Sequence, residues 1–341
     1  MHIPISRPSI KRSDMDSVLS CMVTDSLGPG ILSNRMVRLV AEYIGVAGGT
    51  AVREYPRAIK IVFEALGLTR GDKVLLTPLH PPVYANVARE MDIEPVYVDV
   101  DPGNGCISLD EVIKKDLSSI KAIVSFAPLG FVPPIEKLTE MDVPIIEDIS
   151  QGIGANTGNR RLGTFGSYTL LALEPDGIIT SGGGVVILGR GRKEVNIIQK
   201  IVEPYQVDIL LPDFNAALGI TQIQSIERFL SKRKDIAQIF SQALLRTRHK
   251  QLLQPDEAEN VYYSFPILVS SGLKDVQAYC RKQGIETVSA FTHSILGMGL
   301  IQGKDFPAAQ ALYLRCLLFP LYPSLTKTSV EHMQKVLTSL P

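Results

Sequence analysis

The chain has 341 residues, 35 basic and 35 acidic side chains, and a formal net charge of zero. Nucleic-acid binding proteins carry a basic excess or a basic stripe; none is visible, so no nucleic-acid partner is expected. With 45% hydrophobic and 21% charged residues the chain is globular rather than disordered, and its length suits two domains or one large α/β domain with an appendage.

In residues 35–44, Met36, Val37, Val40 and Ile44 recur at helical spacing, which predicts a helix. Pro56 sits where a second helix can start, and Gly67 marks its stop. Residues 73–77 and 95–100 read as strands and 109–117 as a helix. Two further apolar runs, 121–127 and 143–149, read as strands separated by a short helix over 134–140. The strand pattern continues at 167–173 and 183–188. Short apolar runs alternating with helices predict a mainly parallel sheet covered on both faces. From 213 to 246 only Gly219 interrupts a helical pattern, which predicts one long helix or two joined ones. Beyond it lies a smaller α+β section: a strand at 261–269, a helix at 273–283, a short strand at 286–291, and helices at 307–318 and 328–339. The boundary falls within 213–250, giving a large α/β domain over residues 1–230 and a small C-terminal α+β domain over 231–341.

The first eight residues contain no continuous apolar stretch of the secretory kind. No run approaches the roughly 18–20 apolar residues of a membrane span. A cytoplasmic protein without membrane association is expected. Cys21, Cys106, Cys280 and Cys316 are far apart and are expected to be reduced and buried. The histidines are equally dispersed, so no metal site is expected.

Several motifs occur in a fixed order. They are Ile3-Pro4-Ile5-Ser6-Arg7-Pro8; Gly67-Leu68 followed by Gly71-Asp72-Lys73-Val74; residues 95–101; Ile146-Glu147-Asp148-Ile149-Ser150-Gln151; Asn215-Ala216-Ala217-Leu218-Gly219; and residues 319–326. In this order and spacing the chain resembles the DegT/DnrJ/StrS family of sugar aminotransferases, which have the aspartate-aminotransferase type of fold (fold type I). The resemblance implies transfer of an amino group to a nucleotide-linked keto-sugar with pyridoxal phosphate (PLP), at a site on a subunit interface. The protein would supply a lysine for the imine, a carboxylate for the pyridinium nitrogen, and donors for the phosphate.

Carried over residue by residue, Asp148 falls at the family's carboxylate and Gln151 at the residue that contacts the ring hydroxyl, as remnants of a cofactor site. Read without the family, Asp148 ends a strand and caps the next turn. The lysine is missing. Pro175 sets the register, and the lysine position falls on Gly177 or on Asp176; no lysine lies between Lys137 and Lys193. No histidine stands there either, as it does in a few family dehydratases. No catalytic residue is therefore assigned. The family's phosphate-binding turn, where backbone N–H groups and a helix dipole hold the anion, reads Arg53-Glu54-Tyr55-Pro56. Pro56 lacks an N–H, and Glu54 adds negative charge that Arg53 offsets only in part. The family's phosphate-binding serine falls on Ala172, its cross-subunit asparagine on Asp208, the nearby arginine on Leu210, and the stacking aromatic near Pro82. Each charge-assisted hydrogen bond is worth roughly 1.5–3 kcal/mol, so losing three or four removes on the order of 5–10 kcal/mol of cofactor affinity.

The expectation is a homologue that has lost PLP-dependent catalysis: a pseudoenzyme with no cofactor expected, PLP being implied by resemblance alone. It would form a homodimer, or a heterodimer with an active paralogue, would take a sugar nucleotide, and would serve polysaccharide or amino-sugar biosynthesis. Two alternatives stand beside it. One is an enzyme with non-standard chemistry in the same pocket, built from His80, Tyr55, Tyr84, Glu174, Asp176, Asp148 and Asp208. His80 follows a strand at a place where α/β ligand sites open, although all these side chains also read as solvated loop residues. The other is weak, lysine-independent PLP-dependent aminotransferase or dehydratase activity resting on Asp148 and Gln151.

Overall fold

The computed structural model describes residues 2–24, 27–205, 207–254, 258–270 and 272–341. Two helices, α1 (Arg12–Val23) and α2 (Ile31–Ile44), precede the first strand. Helix α2 buries Met36, Val37, Val40 and Ile44 at the predicted spacing, and Gly45 ends it in the left-handed conformation (φ 98°).

The strands that follow are β1 (Gly48–Val52), β2 (Lys73–Leu76), β3 (Glu94–Tyr97), β4 (Ile120–Phe126), β5 (Ile145–Asp148), the short hairpin β6 (Asn156–Thr157) and β7 (Arg160–Arg161), then β8 (Tyr168–Ala172) and β9 (Val185–Gly189). All but the hairpin form one sheet in the order β1-β9-β8-β5-β4-β2-β3. Strand β9 runs antiparallel to both neighbours, and the β8-β5-β4-β2-β3 part is parallel. Helices α3 (Tyr55–Ala65), α4 (Pro82–Glu90), α5 (Leu109–Val112) and α6 (Ile135–Thr139) make the crossovers that parallel strands need, and α7 (Arg192–Val202) follows β9. Alternate strand residues point to opposite faces and build two cores. Leu75, Ile123, Ile145 and Leu171 pack with α2 on one side, while Val74, Val124, Ile146 and Leu170 pack with α3 and α4 on the other. This is the mainly parallel, doubly covered sheet that the alternating pattern predicts.

Helices α8 (Asp213–Gln224) and α9 (Ile226–Leu244) meet at Ser225, so the long helical pattern resolves into two joined helices. Helix α9 places Ile226 and Phe229 in the core with α2, and Ile236, Ala237, Phe240 and Leu244 in a separate one. That second core lies under strands β10 (Lys250–Gln251), β12 (Phe265–Leu268), β13 (Val288–Ser289) and β14 (Cys316–Phe319), with β11 (Ala258–Glu259) pairing instead with β6. The four-stranded antiparallel sheet has the order β10-β12-β14-β13 and is accompanied by α10 (Leu273–Lys282), α11 (Pro307–Arg315) and α12 (Lys327–Thr338). Ile3 bridges to Ile285 and joins this core as well.

Some elements differ from the sequence reading. The helix over 307–318 stops at Arg315, and the apolar run from Cys316 to Phe319 is strand β14 between β12 and β13. A four-residue apolar run has no period of its own, so its pairing decides. The 109–117 helix is one turn plus a 3-10 turn, Leu117–Ser119, where Asp116 accepts the Ser118 N–H and restarts the chain. Strand β1 is hidden in sequence by Gly48 and Gly49. A Cβ on Gly49 would lie 1.8 Å from the Ile187 carbonyl oxygen, so the pairing with β9 requires glycine there. Among the described residues no helix is long and apolar enough to cross a membrane.

Candidate functional site

Asp148 ends β5 and is fully buried. Its Oδ1 accepts the backbone N–H and the hydroxyl of Ser150 at 3.0 and 2.6 Å. Its Oδ2 accepts the Tyr84 hydroxyl at 2.8 Å and also the Tyr55 hydroxyl. Burial raises the pKa of Asp148, and the bonds from Ser150, Tyr55 and Tyr84 oppose that shift. Burial, and then the Asp148 charge, push both phenols well above their ordinary value, so they remain protonated donors. The local sequence explains this convergence. Tyr55 opens α3, where Pro56 fits a first turn whose N–H groups have no intrahelical partner. The buried Ala58, Ile59 and Val62 seat α3 against the sheet. Tyr84 lies on the buried face of α4, and the two rings meet edge to face with centroids 5.9 Å apart. The Ser150 hydroxyl also accepts the Ala172 N–H at 2.9 Å, tying the end of β8 into the network.

His80 packs edge-on against Tyr84 (5.6 Å) and at a tilt against Phe126 (5.5 Å). Its Nδ1 accepts the Thr77 N–H at 2.9 Å and lies 2.8 Å from the Thr77 hydroxyl, while its buried Nε2 makes no hydrogen bond of good geometry. Burial lowers its pKa from 6.5 to about 4, against the raising effect of the Thr77 and Val124 backbone. The folded state thus refuses a proton that the unfolded chain accepts, so stability is lost as pH falls from 6.5 toward 4. His80→Asn keeps an acceptor for Thr77 and removes the titration. We expect it to be less stable at pH 7 yet to lose about 2–3 kcal/mol less than the wild type between pH 6.5 and 4, measured by urea unfolding at both pH values.

Gln151 turns its Oε1 to the Leu129 N–H at 2.7 Å and lines a cavity of about 470 Å³ shared with Asp176, Gly177, Arg233, Tyr263 and Phe291. Asp176 accepts the Tyr263 hydroxyl at 3.1 Å. Burial, and then the charge of Asp176, raise the pKa of Glu174. A Cβ on Gly177 would lie 2.6 Å from the Ile179 carbonyl oxygen, so that position takes a side chain only if the backbone shifts. Arg53, Glu54, Pro56, Glu174 and Asp208 are exposed. The Arg53 N–H bonds to the Ile209 carbonyl and the Leu211 N–H to that of Ala51, holding the segment after Asp208 along β1.

The sequence candidates therefore separate into three groups and one isolated residue, His80. Asp148, Tyr55, Tyr84 and Ala172 share one network; Gln151, Asp176 and Gly177 surround the cavity; Arg53, Glu54, Glu174 and Asp208 stay at the surface, and His80 is sealed away from the cavity. Among the described residues no three His, Cys, Asp or Glu side chains group as metal ligands. Buried charged residues escaped the sequence reading, Glu147 and Arg233 among them. Buried Glu147 accepts the N–H groups of Gly163, Phe165 and Gly166 at 2.7, 2.7 and 2.6 Å. Buried Arg233 donates through Nη1 to the carbonyls of Tyr262, Tyr263 and Leu321 at 3.0, 2.9 and 2.7 Å. The signals were a charge inside an apolar strand, and an arginine on the stripe of Phe229, Ile236 and Phe240.

The GDP-perosamine synthase of Escherichia coli O157:H7 is 22% identical over 97% of this chain and 96% of its own. The aminotransferase TlmJ from Streptoalloteichus hindustanus shares the fold at a TM-score of 0.89 and 21% identity, covering 99% of this chain and 98% of that one. The PLP form of Spr1654 from Streptococcus pneumoniae does so at 0.90 and 15% identity, covering 100% and 98%. These structures establish the fold as that of the type I aminotransferases. The sequence model of one family matches residues 8–339, from the segment before α1 to the end of α12. With both the fold and nearly the whole sequence accounted for, the chain belongs to the DegT/DnrJ/EryC1/StrS aminotransferase family.

Proposed function

We propose that this chain is a sugar-aminotransferase homologue that no longer performs PLP-dependent transamination. It acts instead as a dimeric binding or partner-subunit protein of the cytoplasm, in amino-sugar or polysaccharide biosynthesis. The observation that supports this most directly is the saturation of Asp148. A carboxylate offers about four lone-pair sites, and a pyridinium nitrogen needs one of them free. Here Oδ2 takes two phenols and Oδ1 takes both donors of Ser150.

The residues present do not fit the cofactor. Tyr55 enters from the first turn of α3, where the family resemblance puts the phosphate, and ends on the carboxylate that would hold the ring nitrogen. In that turn Pro56 supplies no N–H, and the Glu54 side chain caps nothing. Ala172 has no hydroxyl, and neither Asp176 nor Gly177 can form an imine. The non-standard-chemistry alternative gains no support from geometry, because its carboxylates form no common buried cluster: Asp148 serves tyrosines, Glu174 and Asp176 neighbour each other on an exposed turn where Asp176 serves Tyr263, and Asp208 is exposed.

A dimer is supported by the apolar side chains left on the outside of α1 and α2. Met15, Leu19, Met22, Val23 and Ile31 are exposed on helices that pack together with α8. The same face would receive an active paralogue in a mixed dimer. Titration with PLP is expected to leave the visible spectrum unchanged. A GDP-linked keto-sugar with PLP and glutamate is expected to yield no amino sugar, and sedimentation to give a dimer. A cofactor band with turnover overturns the loss of chemistry; a monomer overturns the interface.

A further inference from the structure

A second cleft, of about 360 Å³, lies outside the carboxyl ends of β3 and β4, where the ligand sites of α/β sheets open. It shares no residue with the Asp148 network or with the 470 Å³ cavity. The chain builds it from the turn after β3, closed by the Val100–Ile107 bridge, from the segment that leads from β4 into α6, and from β6. Buried Ile107, Val132, Pro133 and Ile135 make part of its lining apolar. Two polar residues of the lining are also more than nine-tenths buried, Asn104 and Thr157 (6% and 9% exposed). Asn104 turns its Oδ1 to the Cys106 N–H at 2.9 Å, which leaves its amide N–H₂ free. The Thr157 hydroxyl makes no hydrogen bond among the described residues. Neither group is sealed in the packing. Among the described residues, the unpartnered buried side-chain atoms cut off from solvent belong to Ser9, Tyr43, His80, Ser125, Arg233 and Ser264, and to no residue of this cleft. The access that Asn104 and Thr157 retain is therefore to the cleft they line.

The exposed part of the lining carries Asp101, Asp110 and Glu136 against one cation, Lys137. None of the four is in an ion pair among the described residues. An excess of negative charge along a cleft raises the local concentration of cations. These carboxylates do not group as the ligands of a metal ion, so the spread of charge suits an organic cation instead. The free amide of Asn104 needs an oxygen acceptor, and the Thr157 hydroxyl takes either role. We propose that this cleft binds a small hydroxylated ammonium ion of the amino-sugar kind. Its ammonium group lies among the carboxylates, its hydroxyls meet Asn104 and Thr157, and its carbon ring lies on the apolar lining. The volume falls within the roughly 300–1,000 Å³ range of small-molecule pockets. The proposal goes beyond the preceding reading and does not depend on it, since the two concern separate residues.

The test is calorimetric titration of the full-length protein with D-glucosamine at about pH 6, below the ordinary range of an amino group. D-glucose, which lacks the charge, and cyclohexylamine, which lacks the hydroxyls, serve as comparators. Glucosamine is expected to bind at least about fivefold more tightly than either. Cyclohexylamine covers the Asn104 amide without offering it an acceptor, which disfavours its binding. Thr157→Val keeps the shape of the side chain and removes only the hydroxyl. It is expected to weaken glucosamine about fivefold without lowering thermal stability, because no internal hydrogen bond is lost. Glu136→Gln and Asp110→Asn, both at the surface, are each expected to weaken it about two- to threefold and to leave glucose unaffected. Equal binding of glucosamine and glucose, equal binding of glucosamine and cyclohexylamine, or an unaltered affinity in Thr157→Val overturns the proposal. So does loss of glucosamine binding in Asp176→Asn alone, which would place the ligand in the larger cavity. The visible spectrum with PLP reports separately on the loss of transamination, so the two readings fail independently.

Discussion

Asp148→Ala is expected to destabilise the protein by about 3–5 kcal/mol, read as a lower urea midpoint at pH 7 in protein that has never met PLP. The carboxylate holds four donors from three elements: two from Ser150, one from the start of α3, and one from α4. Its removal leaves buried phenols and an N–H without acceptors, and each such group costs about 1–3 kcal/mol. Removing one donor is milder, and Tyr84→Phe is expected to cost about 1–2 kcal/mol. In a cofactor-binding site the same carboxylate would be needed mainly to hold the ligand, and its loss would be felt as weakened cofactor affinity. An Asp148→Ala protein as stable as the wild type would show that the carboxylate is not a structural anchor, and would undo the reading of this pocket as internally filled.

Glu147→Gln is expected to cost about 2–4 kcal/mol in the same assay. Adjacent strand residues face opposite sides, so Glu147 points away from Asp148 and into the turn before β8. Its two oxygens accept three backbone N–H groups from residues 163–166. An amide offers one acceptor oxygen and turns an N–H₂ group at donors it cannot satisfy. Because this turn leads into β8, hydrogen exchange should show it opening first in the variant. Unchanged protection of Gly163, Phe165 and Gly166 would show that the loop is held by its own packing.

The two neighbours also show what kind of information each level carries. Asp148 was legible because it sits in a motif with a recognisable order, and that motif marked it as a remnant of cofactor binding. Its actual partners were not legible. Tyr55 and Tyr84 stand 93 and 64 residues away in the chain, and a contact at that separation leaves no local pattern. Glu147 and Arg233 were passed over because a charge in an apolar segment is read as an interruption, whereas each is buried by the backbone groups it satisfies. His80 was placed correctly after its strand, but whether it faced a ligand or Phe126 depended on how α4 packs.

By itself the sequence determined the alternation of strands and helices, the extended helical stretch after residue 213, and the missing lysine. Periodicity and turn residues act over a few positions, and no packing can supply a side chain that the chain does not contain. Only the tertiary structure decided that Asp148 is capped by two phenols, and that Gly177 has no room for a side chain while Asp176 faces Tyr263. Hydrogen-bond satisfaction and free volume are properties of three-dimensional neighbourhoods, set by how the elements dock and not by the order in which they are written.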